Sequence, residues 1–176
     1  MDLNNALATT EFETDEAKYR REYFVSRDAD VAVIHLDADK SKMISVDIEL
    51  ERQERVEYRT EDKAIVMFGQ LKDGSNGDEG MKYLSKLTVD NEGGNVDFNN
   101  NKIIVRDADK LTLIFSSSTN YKNENYLAFV DSLMNDAKSH SYKYLKRKHI
   151  ESYQELFNRV ELDLGEGITD NHSIDD

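Results

Sequence analysis

The hydropathy pattern of this chain changes period near residue 122. Upstream, apolar residues alternate with polar ones in short segments, the period of strands. Downstream they recur at steps of three and four, the period of a helix face. The strand-type segments are 6–13, 18–27, 31–36, 43–50, 56–59, 64–71, 83–90, 96–98, 102–105 and 110–116. Turn-type residues separate them every eight to twelve positions, which predicts an antiparallel sandwich or barrel. The first two segments read as a hairpin joined by a polar turn without glycine. Tyr19, Arg21, Tyr23 and Val25 share one face of the second, and Arg20, Glu22, Phe24 and Ser26 the other. VAVIHL at 31–36 is nearly all apolar and reads as a central strand. Gly93 and Gly94 supply a tight turn able to take positive φ.

Two helices are expected after the strands. In 123–137, Tyr126, Val130, Leu133 and Ala137 share a face, flanked by Leu127, Phe129 and Met134. From Ser141, a suitable N-cap, the residues Tyr142, Leu145, His149, Tyr153, Phe157 and Val160 form a second, aromatic face. Val160, Leu162 and Leu164 then alternate with acidic residues and glycine, a short strand. The segment 166–176 has little to bury and is expected to be disordered. The fold class is therefore mainly β with a C-terminal α part. It is a partial antiparallel β-sandwich, supersandwich-like, followed by two linker helices and a short strand. The boundaries are 1–121 for the sandwich, 122–165 for the helical linker and short strand, and 166–176 for the tail.

Composition narrows the function. The 176 residues carry a net charge of −13, which argues against a nucleic-acid groove or an anionic membrane as partner. There is no cysteine, so no disulfide framework or thiolate metal site is expected. No apolar run approaches the roughly 20 residues that span a bilayer, and the N-terminus does not read as a leader.

Candidate chemistry is sparse. With 36 acidic residues some pair of carboxylates falls at a glycosidase spacing by chance, and none lies in an apolar stretch that would raise its pKa. Asp73, Asn76 and Asp78 with Gly74 and Gly77 have the composition of a calcium loop but not its spacing; a polar hairpin loop is the better reading. His35, His140, His149 and His172 are scattered without metal spacing. His35 reads as a satisfied strand histidine, and His149 as a hydrogen-bonding residue at an interface. The basic run 143–148 reads as a solvated face pairing with acids. Tyr121, Tyr126, Tyr142, Tyr144 and Tyr153 read as packing rather than sugar-stacking residues. No catalytic, cofactor-binding or metal-binding residue is assigned, and no cofactor is expected.

The stretch Tyr142-x-x-Leu145-x-x-x-His149-x-x-x-Tyr153-x-x-Leu156-Phe157-x-Arg159-Val160-x-Leu162-x-Leu164-Gly165 resembles the linker of glycoside hydrolase family 95, the α-L-fucosidase type. Upstream, Tyr19, Arg21, Glu22, Phe24 and Ser26, and then Thr119 and Tyr121, fit the same family in order and spacing. Arg27-Asp28-Ala29 stands where the family usually has a proline turn.

The resemblance implies an N-terminal β-sandwich joined by helices to an (α/α)6-barrel catalytic domain. It implies an inverting enzyme acting on fucosyl or galactosyl linkages. The match begins inside the family's β-domain and stops where the barrel would start. The family's catalytic glutamate, aspartate and asparagine therefore have no counterparts, and a role by this chain alone in turnover is not expected. The expected partners are the catalytic barrel and, through it, a fucosylated or galactosylated glycan. Tyr142, Leu145, His149, Tyr153 and Phe157 are the candidate interdomain packing residues. The compartment stays open, although the resemblance suggests export. A half-sandwich would leave sheet edges and an apolar face uncovered, so self-association of the isolated chain is expected. The alternative reading is a free-standing carbohydrate-binding or adaptor sandwich, or a gene remnant.

Overall fold

The computed structural model describes residues 1–74, 79–161 and 165. Among these residues ten strands precede two helices: β1 Ala8–Glu13, β2 Lys18–Ser26, β3 Val31–Ala38, β4 Ile44–Glu49, β5 Glu57–Glu61, β6 Ala64–Gln70, β7 Lys82–Glu92, β8 Asn95–Asn99, β9 Lys102–Ala108 and β10 Lys110–Thr119, then α1 Tyr126–Lys138 and α2 Tyr142–Phe157. A seven-stranded sheet runs β1-β2-β3-β10-β7-β6-β5, and a three-stranded sheet runs β4-β9-β8. Every strand pairing is antiparallel. The mainly β architecture with two C-terminal helices agrees with the sequence reading. Val160 and Glu161 are not in a strand; residues 162–164 of the expected short strand, the tail 166–176 with His172, and Asn76, Gly77 and Asp78 of the acidic loop lie outside the described residues.

The large sheet is covered on both faces. One core lies between the two sheets, where Ile44, Ile103, Val105 and Ala108 meet Ile65, Leu87, Leu111 and Leu113. The other lies beneath the helices, where Val130, Met134, Ala137 and Leu145 meet Phe24, Val33, Val66 and Ile114. This explains the strand patterns. Val31, Val33 and His35 of β3 face the helices, while Ile34 and Leu36 face the small sheet. The helix layer thus supplies the cover that a bare half-sandwich would lack. The edge strand β1 remains, with all six of its residues exposed.

The helices form where their sequences allow. The Ser141 hydroxyl accepts from the Tyr144 amide at 3.3 Å and starts α2, satisfying one free first-turn donor. In α1 the buried residues are Val130, Met134 and Ala137, one face at steps of four and three. Lys86 of β7 is buried beneath α1 and bonds Asp131 at 2.7 Å and Glu61 at 3.2 Å. Burial alone would depress its pKa; the bonds to Asp131 and Glu61 outweigh it, and the ammonium is held charged.

The chain passes between sheets at Gly93 and Gly94, with φ of 70° and 65°. A Cβ on Gly94 would lie 2.3 Å from the Arg106 carbonyl oxygen, so the turn requires glycine for space as well as for φ.

Candidate functional site

The helix side of the large sheet changes character along the strands. Its apolar row, Phe24, Val33 and Ile114, lies under the helices and ends at the buried Thr88. The next row is polar: Glu22 pairs with His35, His35 with Thr112, and Thr112 with Asp90. The row beyond alternates in charge across five strands, Glu11, Arg20, Asp37, Lys110 and Glu92. Opposite charges directly across antiparallel strands support the pairing register.

α2 is anchored on the polar row. Glu22 is 4% exposed, and its carboxylate accepts from Lys146 Nζ at 2.7 and 2.9 Å, from Arg20 at 2.8 Å and from the Tyr142 hydroxyl. Burial raises the Glu22 pKa, but the bonds from Lys146 and Tyr142 outweigh it and hold the carboxyl below its ordinary value. Burial, and then the hydrogen bond to Glu22, push the Tyr142 hydroxyl far above its ordinary value, so it stays a donor. The Tyr142 ring stacks on His35, with centroids 3.7 Å apart and planes 9° apart. The His35 Nδ1 is bonded to the Thr112 hydroxyl at 2.9 Å. Burial depresses the His35 pKa, keeping the imidazole neutral.

The five residues singled out on α2 pack largely within this chain. Tyr142 bonds Glu22, and Leu145 is 2% exposed in the core under the helices. His149 is buried, stacks on Phe24 at 4.8 Å and bonds the Ala6 carbonyl at 3.0 Å, so its Nε2 carries the hydrogen. The Tyr153 hydroxyl donates to the Leu3 carbonyl at 2.8 Å. Only Phe157, 40% exposed and stacked on Tyr153, turns outward. It joins Val25 and Leu156, also exposed, around a groove of about 540 Å3 lined in addition by Ala6, Arg27, His149 and Tyr153. Isolated exposed apolar residues are ordinary; this group is contiguous along one groove.

Tyr126 and Tyr144 pack against the core, and Tyr144 stacks on His140, while Tyr121 is exposed. In the basic run Arg147 and Lys148 pair with Glu151 as a solvated face does, but Lys146 turns inward to Glu22. Glu22 and Lys146 were therefore missed as a pair. The only local signal was a carboxylate two residues before Phe24 on the inward face, and its partner lies 124 residues away.

As chemistry, the Glu22 cluster is an ion-paired anchor. Glycoside hydrolysis needs a carboxylic acid with a raised pKa. Among the described residues, the shifted carboxyls Asp2, Glu22, Asp47 and Glu49 are all held below their ordinary values. Beside the anchor, a cleft of about 490 Å3 opens over His35, Thr112, Asp90 and the charged row, roofed by Ser141, Tyr142 and Lys143.

Comparison with known proteins adds three findings. The family described as glycosyl hydrolase family 65, N-terminal domain, matches residues 1–124. The Arabidopsis thaliana protein named Alpha-L-fucosidase 2 is 26% identical over 204 aligned residues, which cover 99% of this chain and 24% of that protein. A solved structure named as a putative kojibiose phosphorylase from human microbiome superposes with a TM-score of 0.63 at 14% identity, over 89% of this chain and 24% of that one. At that identity the likeness is one of fold. The chain spans 24% of the length of the curated relative it matches.

Proposed function

Because the chain belongs to the family of glycosyl hydrolase family 65 N-terminal domains, we propose that it serves as the non-catalytic β-domain of a glycoside-hydrolase-like enzyme. We further assign that enzyme to the α-L-fucosidase type, family 95, acting on fucosyl or galactosyl linkages in glycans. The observation that carries this assignment is the extent of the fucosidase match. The family 65 match ends at residue 124, before α1, whereas the fucosidase alignment spans 99% of the chain and so takes in both helices.

In this reading α2 is the strut between domains. Its inner face is locked to β2 by Glu22 and Leu145, and its outer end presents Leu156 and Phe157 beside Val25. That apolar end fits a catalytic domain, because a permanent intramolecular partner covers apolar surface that would otherwise face water. Supporting the catalytic domain is the whole of the chain's part in turnover.

The test begins with the reading frame that encodes this chain. A helical domain following α2 is expected, and the protein carrying both is expected to release 4-nitrophenol from 4-nitrophenyl α-L-fucoside. The 176-residue chain alone is expected to release none. Turnover by the chain alone, or a frame with no second domain, overturns the reading. Loss of activity in the two-domain protein on Phe157→Asp, with the α-helical signal retained, is expected if the outer end of α2 is the contact.

A further inference from the structure

We propose that the cleft between the first turn of α2 and strands β3, β10 and β7 binds one neutral sugar residue over Thr112, with His35 and Asp90 as its hydroxyl contacts. The choice of sugar as the ligand class rests on the function proposed above; the site itself rests on geometry. His35 is 7% exposed and clamped. Its ring lies against Tyr142 and its Nδ1 is held by Thr112. Among the described residues its Nε2 has no hydrogen bond, and a carboxylate oxygen of Asp37 stands 3.9 Å away. Among the described residues no fully buried side-chain nitrogen or oxygen lacks a partner. Nε2 therefore opens to the cleft, where His35 is part of the lining. A buried, immobilised imidazole with one free nitrogen is a preorganised group, and preorganisation lowers the cost of binding.

Asp90 stands on the other side of Thr112 in the same row. Its side chain has no hydrogen bond or ion pair among the described residues, and it lines the cleft. Two inter-strand spacings separate it from His35, roughly 10 Å, a span that one pyranose ring lying over Thr112 can bridge through its hydroxyls. The volume of about 490 Å3 lies within the ordinary range for small-molecule sites, about 300–1,000 Å3.

Charge selects the ligand class. The carboxylates of Asp37, Asp90 and Glu92 face the ammonium groups of Lys110 and Lys143. Lys110 is tied to Glu92 at 2.6 Å. An anion meets three carboxylates. A divalent cation finds no set of three converging acidic or histidine ligands among the described residues. A neutral polyol uses acceptors and donors together, and the neutral imidazole of His35 offers either role.

The test is titration of the 176-residue protein with L-fucose, D-galactose and D-glucose in turn. It is followed by NMR at the His35 ring and the Thr112 amide. A saturable shift at both positions with at least one sugar is expected. Asp90→Ala removes an exposed carboxylate, and His35→Phe keeps a ring against Tyr142 while deleting Nε2. Each is expected to weaken binding about tenfold, read at the Thr112 amide. No saturable shift with any of the three sugars overturns the proposal. So does unchanged affinity in both variants. A two-domain protein that cleaves the fucoside while the cleft fails to titrate removes this site and leaves the function proposed above intact. A cleft that titrates in a chain whose reading frame carries no second domain does the reverse.

Discussion

The ring of Tyr142, at the first turn of α2, lies flat on the ring of His35 in the middle of β3, 3.7 Å between centroids. The hydroxyl of the same tyrosine donates to Glu22 on β2. One side chain thus joins the helix to two strands; His35 beneath its ring bonds Thr112, and Glu22 also accepts from Lys146 and Arg20. Buried polar networks of this kind stabilise only when every member is satisfied, and here no fully buried side-chain polar atom is left over among the described residues.

Glu22 is the centre of that network, so Glu22→Ala strands the Tyr142 hydroxyl and frees Lys146. Lys146 and Arg20 reach solvent and recover much of their hydration, which limits the cost. A loss of about 2 kcal/mol is expected, measured by urea unfolding. Lys146→Met is expected to cost less, because Glu22 keeps Arg20 and Tyr142.

Acid should loosen α2 in two steps. The folded pKa of His35 is depressed by burial, so the neutral ring favours folding above the ordinary value of 6.5, and stability falls as pH drops below it. The folded pKa of Glu22 is also lowered on balance, so its contribution is present above the ordinary value of 4.5 and is lost as pH falls further. The denaturation midpoint is expected to fall from pH 7 to pH 5 and again below pH 4.5. His35→Phe should flatten the first fall, and Glu22→Gln the second.

Leu145 and Phe157 lie on one face of one helix but differ in burial, 2% against 40% exposed. Leu145→Ala leaves a cavity between α2 and the sheet and is expected to cost about 3 kcal/mol. Phe157→Ala in the isolated chain is expected to cost under about 1 kcal/mol. Comparable losses from calorimetry of the two variants would contradict the packing described here.

Gly94→Ala tests the crossing between sheets. Asn100 and Asp107 occupy positive φ without being glycine, so φ alone does not forbid a side chain. What does is the Arg106 carbonyl, 2.3 Å from the added Cβ. A loss of more than about 2 kcal/mol is expected, against a smaller loss for Gly74→Ala, whose added Cβ meets nothing within 4 Å. Thermal unfolding of both variants makes the comparison.

The elements are legible in short windows of the chain. Alternation, with the apolar run at 31–36, locates the ten strands of the described residues, the three-and-four spacing locates both helices, and Ser141 is recognisable as the cap it is. These properties arise within a few residues, from side-chain direction and local hydrogen bonding, so a short window contains their cause. Tertiary structure decided what those elements face. It turned Lys146 inward to Glu22, placed His149 on the backbone of Ala6, and ordered Glu11, Arg20, Asp37, Lys110 and Glu92 into one row. Each of those neighbours is set by the order and register of strands far apart in the chain. A carboxylate in an alternating strand looks the same in sequence whether it meets water or an ammonium group brought down on a helix 124 residues later. Only the packed sheet distinguishes the two, because burial, which makes the partner necessary, is a property of the layers and not of the strand.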